Sequence, residues 1–306
     1  MSLVGRLTGG QRRELVDKLK AQAAASASVE QVEATCGRDR TCPRCTSIGA
    51  VRNGQSDGLQ RYKCRACGKT FNALTGTPLA RLRQKGKWLD QAKALADGLT
   101  VHRAAEELNV APSTAFRWRH RFLALPRAVK PAVLSGVTEI DETYVLESFK
   151  GQKVVCRLAR KRGGSAAKRG LSREQIPVMV ARDRSGTTTD YVLNDTRKAA
   201  VMTLLKPLLL PDAVVCTDGG GSIGQAVKDL GLEHHRVVAS SGVHAIGAWH
   251  IQNVNSYHGR LKEWRRRFHG VATSYLENYL GWFRALDRTA RTSAQPAQLL
   301  NLALGA

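Results

Sequence analysis

At 306 residues the chain has room for two or three domains, one of them large enough to bury a sizeable core. Lys and Arg number 48 against 25 Asp and Glu, a formal net charge of +23 in a composition that is 42% hydrophobic, so a polyanion is the expected partner. A membrane is disfavoured: the longest apolar candidate, AVMTLLKPLLL, is broken by Lys206 and Pro207, and MSLVGRLTGGQRREL has no signal-peptide core. Nucleic acid in the cell interior is the remaining expectation. Seven cysteines, an odd number without a secretion signal, argue against a disulfide framework.

In chain order, QRRELVDKLK (11–20) predicts a short amphipathic helix, with AQAAASAS either its tail or a linker. Four cysteines follow as two pairs, Cys42/Cys45 in TCPRC and Cys64/Cys67 in KCRACGKTF, with 18 residues between the pairs. Each CxxC presents two thiolates at one edge of a tight knuckle, and two knuckles close a tetrahedral, structural Zn2+ site. VRNGQSDGLQRYKC between them has a turn-rich centre flanked by strand formers, which predicts a zinc ribbon. Cys36 is not expected to be a ligand, and Cys156 and Cys216 sit in strand-like runs as core residues. TVHRAAEELNVAPSTAFRWRHRFLAL then carries a helix-turn-helix pattern. Thr100 caps a helix holding Ala104, Ala105 and Leu108, and Pro112 opens a second helix after the turn. On that second helix Arg117, Arg119 and Arg121 are candidate DNA contacts, with Phe116 and Phe122 as packing residues.

From residue 136 the pattern changes. GVTEIDETYVLESF predicts a strand, PVMVARDRSGTTTDYVL two strands, KAAVMTLLKPLL a helix, AVVCTDGGGS and HHRVV a strand each, and residues 250–264 a helix. That order is expected of a ribonuclease H-like α/β domain. SYLENYLGWFRALDR adds a helix with an apolar stripe, opened by a Ser274/Glu277 capping box. The expected division is an N-terminal helical segment and linker (1–35), a zinc ribbon (36–73), a helix-turn-helix (80–127), a ribonuclease H-like catalytic domain (136–290) and a tail (291–306).

Asp141 lies within the first of these strands, on the face that alternation shares with Glu139. Asp218 closes the strand VVCTD, and the three glycines after it would let a substrate backbone approach. An acid inside a sheet is costly unless paired or bound to metal, so the two aspartates in so basic a chain point to Mg2+ or Mn2+ and phosphoryl chemistry. Nine Lys/Arg and no acid occupy residues 148–173, among them Arg160, Lys161, Arg162, Lys168 and Arg169. This stretch is expected to be a flexible DNA-contacting insertion.

IDETYVLESFKG, ARKRGGSAAKRGLS, CTDGG, HIQNVNSYHGRLKEW and RRFHGVATSYLENYLGW resemble, in order, the blocks of DDE-type insertion-sequence transposases with an N-terminal zinc ribbon. The resemblance runs over residues 40–290 and implies a catalytic domain that cuts at transposon ends and joins the 3′-OH to target DNA. It implies Asp141 and Asp218 as the first two catalytic metal ligands. Asn255, with 36 residues intervening after Asp218, matches the branch that carries Asn in place of the third acid, and Lys262 the basic residue after it. Asn255 and Lys262 share a helical face, whereas Asn253 points about 200° away from Asn255 and Glu263 sits about 12 Å along the axis. Arg265 and Arg266, next in the chain, are further candidate DNA contacts. The implied partners are double-stranded DNA, as transposon ends and target, and further copies of the chain. The compartment implied is the bacterial cytoplasm, at the nucleoid. A non-catalytic DNA-binding regulator and a nuclease on the same fold are the rival readings.

Overall fold

The computed structural model describes residues 7–289 and 296–305, apart from 38, 156, 159–163, 169–171, 220, 239, 240 and 243. The chain divides into two units, residues 1–126 with 292–306, and residues 127–291.

The first unit opens with α1 (Gly9–Ala34), one continuous helix in which AQAAASAS is helix and not linker. The alanine-rich stretch continues the helix because Ala has the highest helix propensity, and Thr8 and Gln11 cap its start reciprocally. Three antiparallel strands follow, β1 (Val51–Ser56), β2 (Leu59–Lys63) and β3 (Thr70–Phe71). Asp57 and Gly58, both left-handed, make the first turn. Three helices come next, α2 (Trp88–Ala96), α3 (Val101–Leu108) and α4 (Pro112–Phe122), then the short α5 (Ala124–Ala128). Thr100 caps α3 as expected, and Asn109 ends it in a left-handed conformation. Trp88 and Phe122, both fully buried, meet edge to face at the centre.

The second unit is a five-stranded sheet built from β4 (Val137–Leu146), β5 (Gln175–Asp183), β6 (Thr188–Val192), β7 (Val214–Thr217) and β8 (Glu233–Arg236). Its order is β6-β5-β4-β7-β8, with β4, β5 and β6 antiparallel and β4, β7 and β8 parallel. This is the expected ribonuclease H-like sheet. One face packs α6 (Lys198–Leu205) and α7 (Gly221–Asp229) through Ile140, Met179, Val215, Val201, Leu205 and Val227. The sequence reading missed α7, whose GSIG start looks like loop. A small hairpin, β9 (Ala245–Ile246) with β10 (Trp249–His250), was also missed. It leads into α8 (Gln252–Arg266) and then α9 (Leu276–Thr289). An aromatic cluster of Tyr257, Trp264, Phe268, Tyr279, Trp282 and Phe283 joins those two helices. The residues expected as a tail return to the first unit as α10 (Pro296–Leu304), which buries Leu299, Leu300, Ala303 and Leu304 against α1, α2 and α4.

Candidate active site and nucleic-acid interface

The four patterned cysteines converge. Cys42 and Cys67 Sγ atoms are 3.8 Å apart, Cys45 and Cys64 3.6 Å, and all four lie within 4.8 Å of one another. A tetrahedron with Zn–S bonds of about 2.3 Å has edges of about 3.8 Å, so the thiols fit Zn2+. The two knuckles are built alike. Thr46 N donates to Cys42 O at 2.9 Å and Gly68 N to Cys64 O at 3.1 Å, each residue being left-handed (φ 59° and 69°). Hydrogen bonding to Ser47 lowers the Cys45 thiol to about 6, toward the thiolate a metal requires. Cys36 packs beside the cluster outside the set of four.

The helix-turn-helix corrects two expectations. Arg119 is buried at 2% exposure, and its Nη2 donates to Leu99 O at 2.7 Å, so it ties α4 to the turn between α2 and α3. Phe116 is exposed, not core, with its ring against His120. The register explains both: Ala115, Trp118, Arg119 and Phe122 form the buried stripe, leaving Ser113, Phe116 and Arg117 outside. Arg121 is exposed, but its guanidinium donates to Pro78 O and, at 3.0 Å, to Ala80 O. Arg117 therefore remains the exposed basic side chain of α4 without such a tie.

In the second unit β4 and β7 run parallel with Glu139 opposite Cys216. Continued two residues past that pair, the register would bring Asp141 opposite Asp218, which follows the end of β7 at Thr217. Glu142 reports their field: burial raises its carboxyl first, and the charges of Asp141 and Asp218 raise it further. Gly219 (φ 85°) has no room for a Cβ, which would fall 1.8 Å from Arg236 Nε.

Helix α8 is pinned to β4 by a fully buried carboxylate. Glu139 Oε2 accepts Asn253 N at 2.8 Å and Val254 N at 3.0 Å, and Oε1 accepts Asn253 Nδ2 at 2.9 Å. Arg184 Nη1 at 3.1 Å and His250 Nδ1 at 3.3 Å complete the ring around it. Glu139 thus caps α8 from another element, satisfying amides that the helix start leaves free. Asn253 is consumed in this cap. One turn on, buried His258 brings Nδ1 to 3.5 Å from Asp141 Oδ2. Asn255 and Lys262 are exposed and lie within about 60° of His258 round the helix, on the side where it meets Asp141. Neither Glu139 as a cap nor His258 was found in the sequence, although strand alternation did put Glu139 on the face of Asp141.

Of the other basic candidates, Arg266 is exposed and pairs with Glu263 at 2.6 Å, while burial lowers Arg265 from its ordinary range. In the 148–173 stretch Lys168 is exposed, Lys150 donates to Gly270 O at 3.0 Å, and Arg157 pairs with Glu147 at 3.6 Å. Arg160, Lys161, Arg162 and Arg169, like Cys156, lie outside the described residues. Among the described residues no helix is long and apolar enough to cross a membrane.

Residues 133–284 match the profile of the ISXO2-like transposase domain, and residues 80–126 that of a Homeodomain-like domain. The chain is 31% identical over 267 residues to the "Uncharacterized protein in transposable element ISH50" of Halobacterium salinarum, covering 84% of this chain and 88% of that one. Solved structures also match, among them two of Mos1 transposase complexes. The pre-cleavage Mos1 transpososome has 12% identity and a TM-score of 0.24 over 70% of this chain and 78% of that one. The Mos1 mariner paired end complex with Mn has 13% and 0.22 over 67% and 77%. At those TM-scores neither likeness fixes the fold. The sheet topology, the four-thiol ribbon and the sequence relative together define an insertion-sequence transposase. Within that class the chain belongs to the ISXO2-like family.

Proposed function

We propose that this transposase binds the terminal inverted repeats of its element through the first unit and cleaves and joins DNA at Asp141, Asp218 and Asn255. What supports the reading is the β4–β7 register, which, continued two residues past Glu139 and Cys216, aligns Asp141 with Asp218 in a chain of net charge +23. Two carboxylates and a neutral amide oxygen are hard oxygen donors, a set that suits Mg2+ or Mn2+. Bound there, such cations lower the pKa of an attacking hydroxyl and offset charge on both oxygens of an in-line displacement. The chain's own residues do the rest. His258 orients the Asp141 carboxylate, Glu139 fixes the start of α8 so that Asn255 stands at the rim, and Lys262, on the same helical face, is placed to hold a DNA phosphate. The four-cysteine ribbon, loaded with Zn2+, and the exposed face of α4 serve end recognition. The active species is an oligomer on DNA, because two ends must be joined to one target, and it works on DNA in the cell interior.

Strand-transfer assays with terminal-repeat duplexes test this. Asn255→Ala should abolish joining while leaving end binding unchanged, and Asn255→Asp should keep some activity at a lower metal requirement because it adds a charge. Wild-type joining by Asn255→Ala would move the third ligand elsewhere. End binding without any joining, in wild type with Mg2+ or Mn2+, would favour the regulator.

A further inference from the structure

Between the ribbon and α2, residues 72–84 run without helix or strand, yet side chains fix the backbone along most of their length. Asn72 Oδ1 accepts Leu74 N at 3.1 Å, Thr75 Oγ1 accepts Asn72 N at 3.0 Å, and Thr77 Oγ1 donates to Leu74 O at 2.9 Å. Arg121, reaching from α4, takes the carbonyls of Pro78 and Ala80. At the far end the buried Ser28 hydroxyl of α1 donates to Gly86 O at 3.3 Å, and a Cβ on Gly86 would fall 2.6 Å from that of Ala25. Within this braced segment Arg81 and Gln84 hold left-handed backbone, φ 64° and 58°, which residues with side chains seldom adopt.

The segment forms one wall of an open groove of about 1010 Å³, closed on the ribbon side by Arg44 and Asp57. Arg44, Arg81, Arg83 and Lys85 line it against a single acid, Asp57. Lys85 Nζ is 3.1 Å from the Asp57 carbonyl oxygen, not its carboxylate. Arg44, Arg81 and Arg83 are exposed, and none is in an ion pair among the described residues. A small-molecule pocket is mostly apolar with a few converging polar groups, and this groove is the reverse: mobile cations on a rigid, irregular backbone. Such a surface suits a chain of phosphates, because positioning contacts go to the sugar–phosphate backbone and a preorganised wall lowers the entropy cost of binding.

We propose that this groove seats the sugar–phosphate backbone of the DNA end on its course between the ribbon and α4, and that Arg81, Arg83 and Lys85 each neutralise a phosphate. Arg121 joins the two parts of the seat, since the helix that reads bases also braces the wall that holds the backbone. The inference rests on the end-binding reading above.

Fluorescence anisotropy with a terminal-repeat duplex and a random duplex, across a salt series, tests it. Each lost phosphate contact lowers the slope of log K against log salt by about 0.9. The variant Arg81→Asn/Arg83→Gln/Lys85→Gln should therefore be shallower by about 2.7 on both duplexes, with the ratio between them kept. Asn at 81 tolerates the left-handed backbone. Should the triple variant lose zinc or helix content, Arg83→Gln alone should lower the slope by about 0.9, and Arg83→Lys should restore it. An unchanged slope in a folded, zinc-loaded variant overturns the groove while end binding stands. Absence of end preference in the wild type removes the end-binding reading itself.

Discussion

Replacing Glu139 by Gln probes the joint between the sheet and α8 at a residue outside the proposed metal ligands. The fully buried carboxylate accepts three hydrogen bonds at 2.8 to 3.0 Å, two of them from the first amides of α8, and pairs with Arg184 at 3.1 Å. Gln keeps one oxygen, enough for the two backbone amides, but turns its NH2 toward Asn253 Nδ2 and Arg184, both donors. Breaking a buried pair by removing one partner costs about 3–5 kcal/mol. Arg184 retains 30% exposure of its side chain and can rehydrate, which brings the expected loss to about 2–3 kcal/mol. Glu139→Ala adds loss of the cap, about 1 kcal/mol more. Urea denaturation of the whole protein, followed by tryptophan fluorescence, reads the first effect. A double-mutant cycle with Arg184→Ala isolates the pair and should give coupling of at least about 1 kcal/mol. The second readout is functional: strand transfer should fall by at least tenfold while end binding is kept, since α8 carries Asn255 but not the end-reading helix. Stability within about 0.5 kcal/mol of wild type together with undiminished joining would show that Glu139 does not position α8.

Cys64→Ala should lose stoichiometric zinc and end binding together, read by metal analysis and anisotropy; full end binding would refute the structural role of the ribbon. Arg119→Ala should destabilise the first unit by about 1–3 kcal/mol, because Leu99 O loses its donor. Arg117→Ala should leave stability unchanged and reduce the preference for terminal-repeat over random DNA; the opposite pattern would put Arg119 on the DNA. Burial lowers His120 to about 4, so the unfolded chain binds its proton first as the pH falls. The first unit should therefore lose stability between about pH 6.5 and 4, and keep it above, by about 1–2 kcal/mol once the ring's partial exposure is discounted. Thermal melts of wild type and His120→Gln at pH 7 and 5 should show the variant less sensitive, and equal sensitivity would refute the assignment.

Local chemistry made the ribbon, the helix-turn-helix and most of the second unit's sheet legible. CxxC spacing, Thr100 with Pro112, and β-branched runs each act within a few residues. Helix α7 was lost because GSIG opens it with residues of poor propensity, and its stability comes from Ile223, Ala226 and Val227 in the core. Arg119 could have been placed from the register, since positions 115, 118, 119 and 122 form one stripe, but an arginine inside a stripe is read as surface until its carbonyl partner is seen. Glu139 shows a different limit. Alternation gave its face, whereas its role depends on amides 114 and 115 residues away. The aspartate pair was legible as chemistry, and its alignment follows only from the parallel register of β4 and β7, continued two residues past Glu139 and Cys216.

The chain leaves the first unit near residue 126 and comes back at about 292, so the second unit is an insertion within the first. During synthesis α2, α3 and α4 emerge early, yet α10, which packs on α2, is made only after the whole of the second unit. The inserted unit, whose residues are contiguous, can fold while the first still lacks its final helix. A chain without residues 292–306 would thus keep its aspartates and lose the closing piece of its first unit. Loss of α10 would therefore act on the first unit and leave the residues of the second complete.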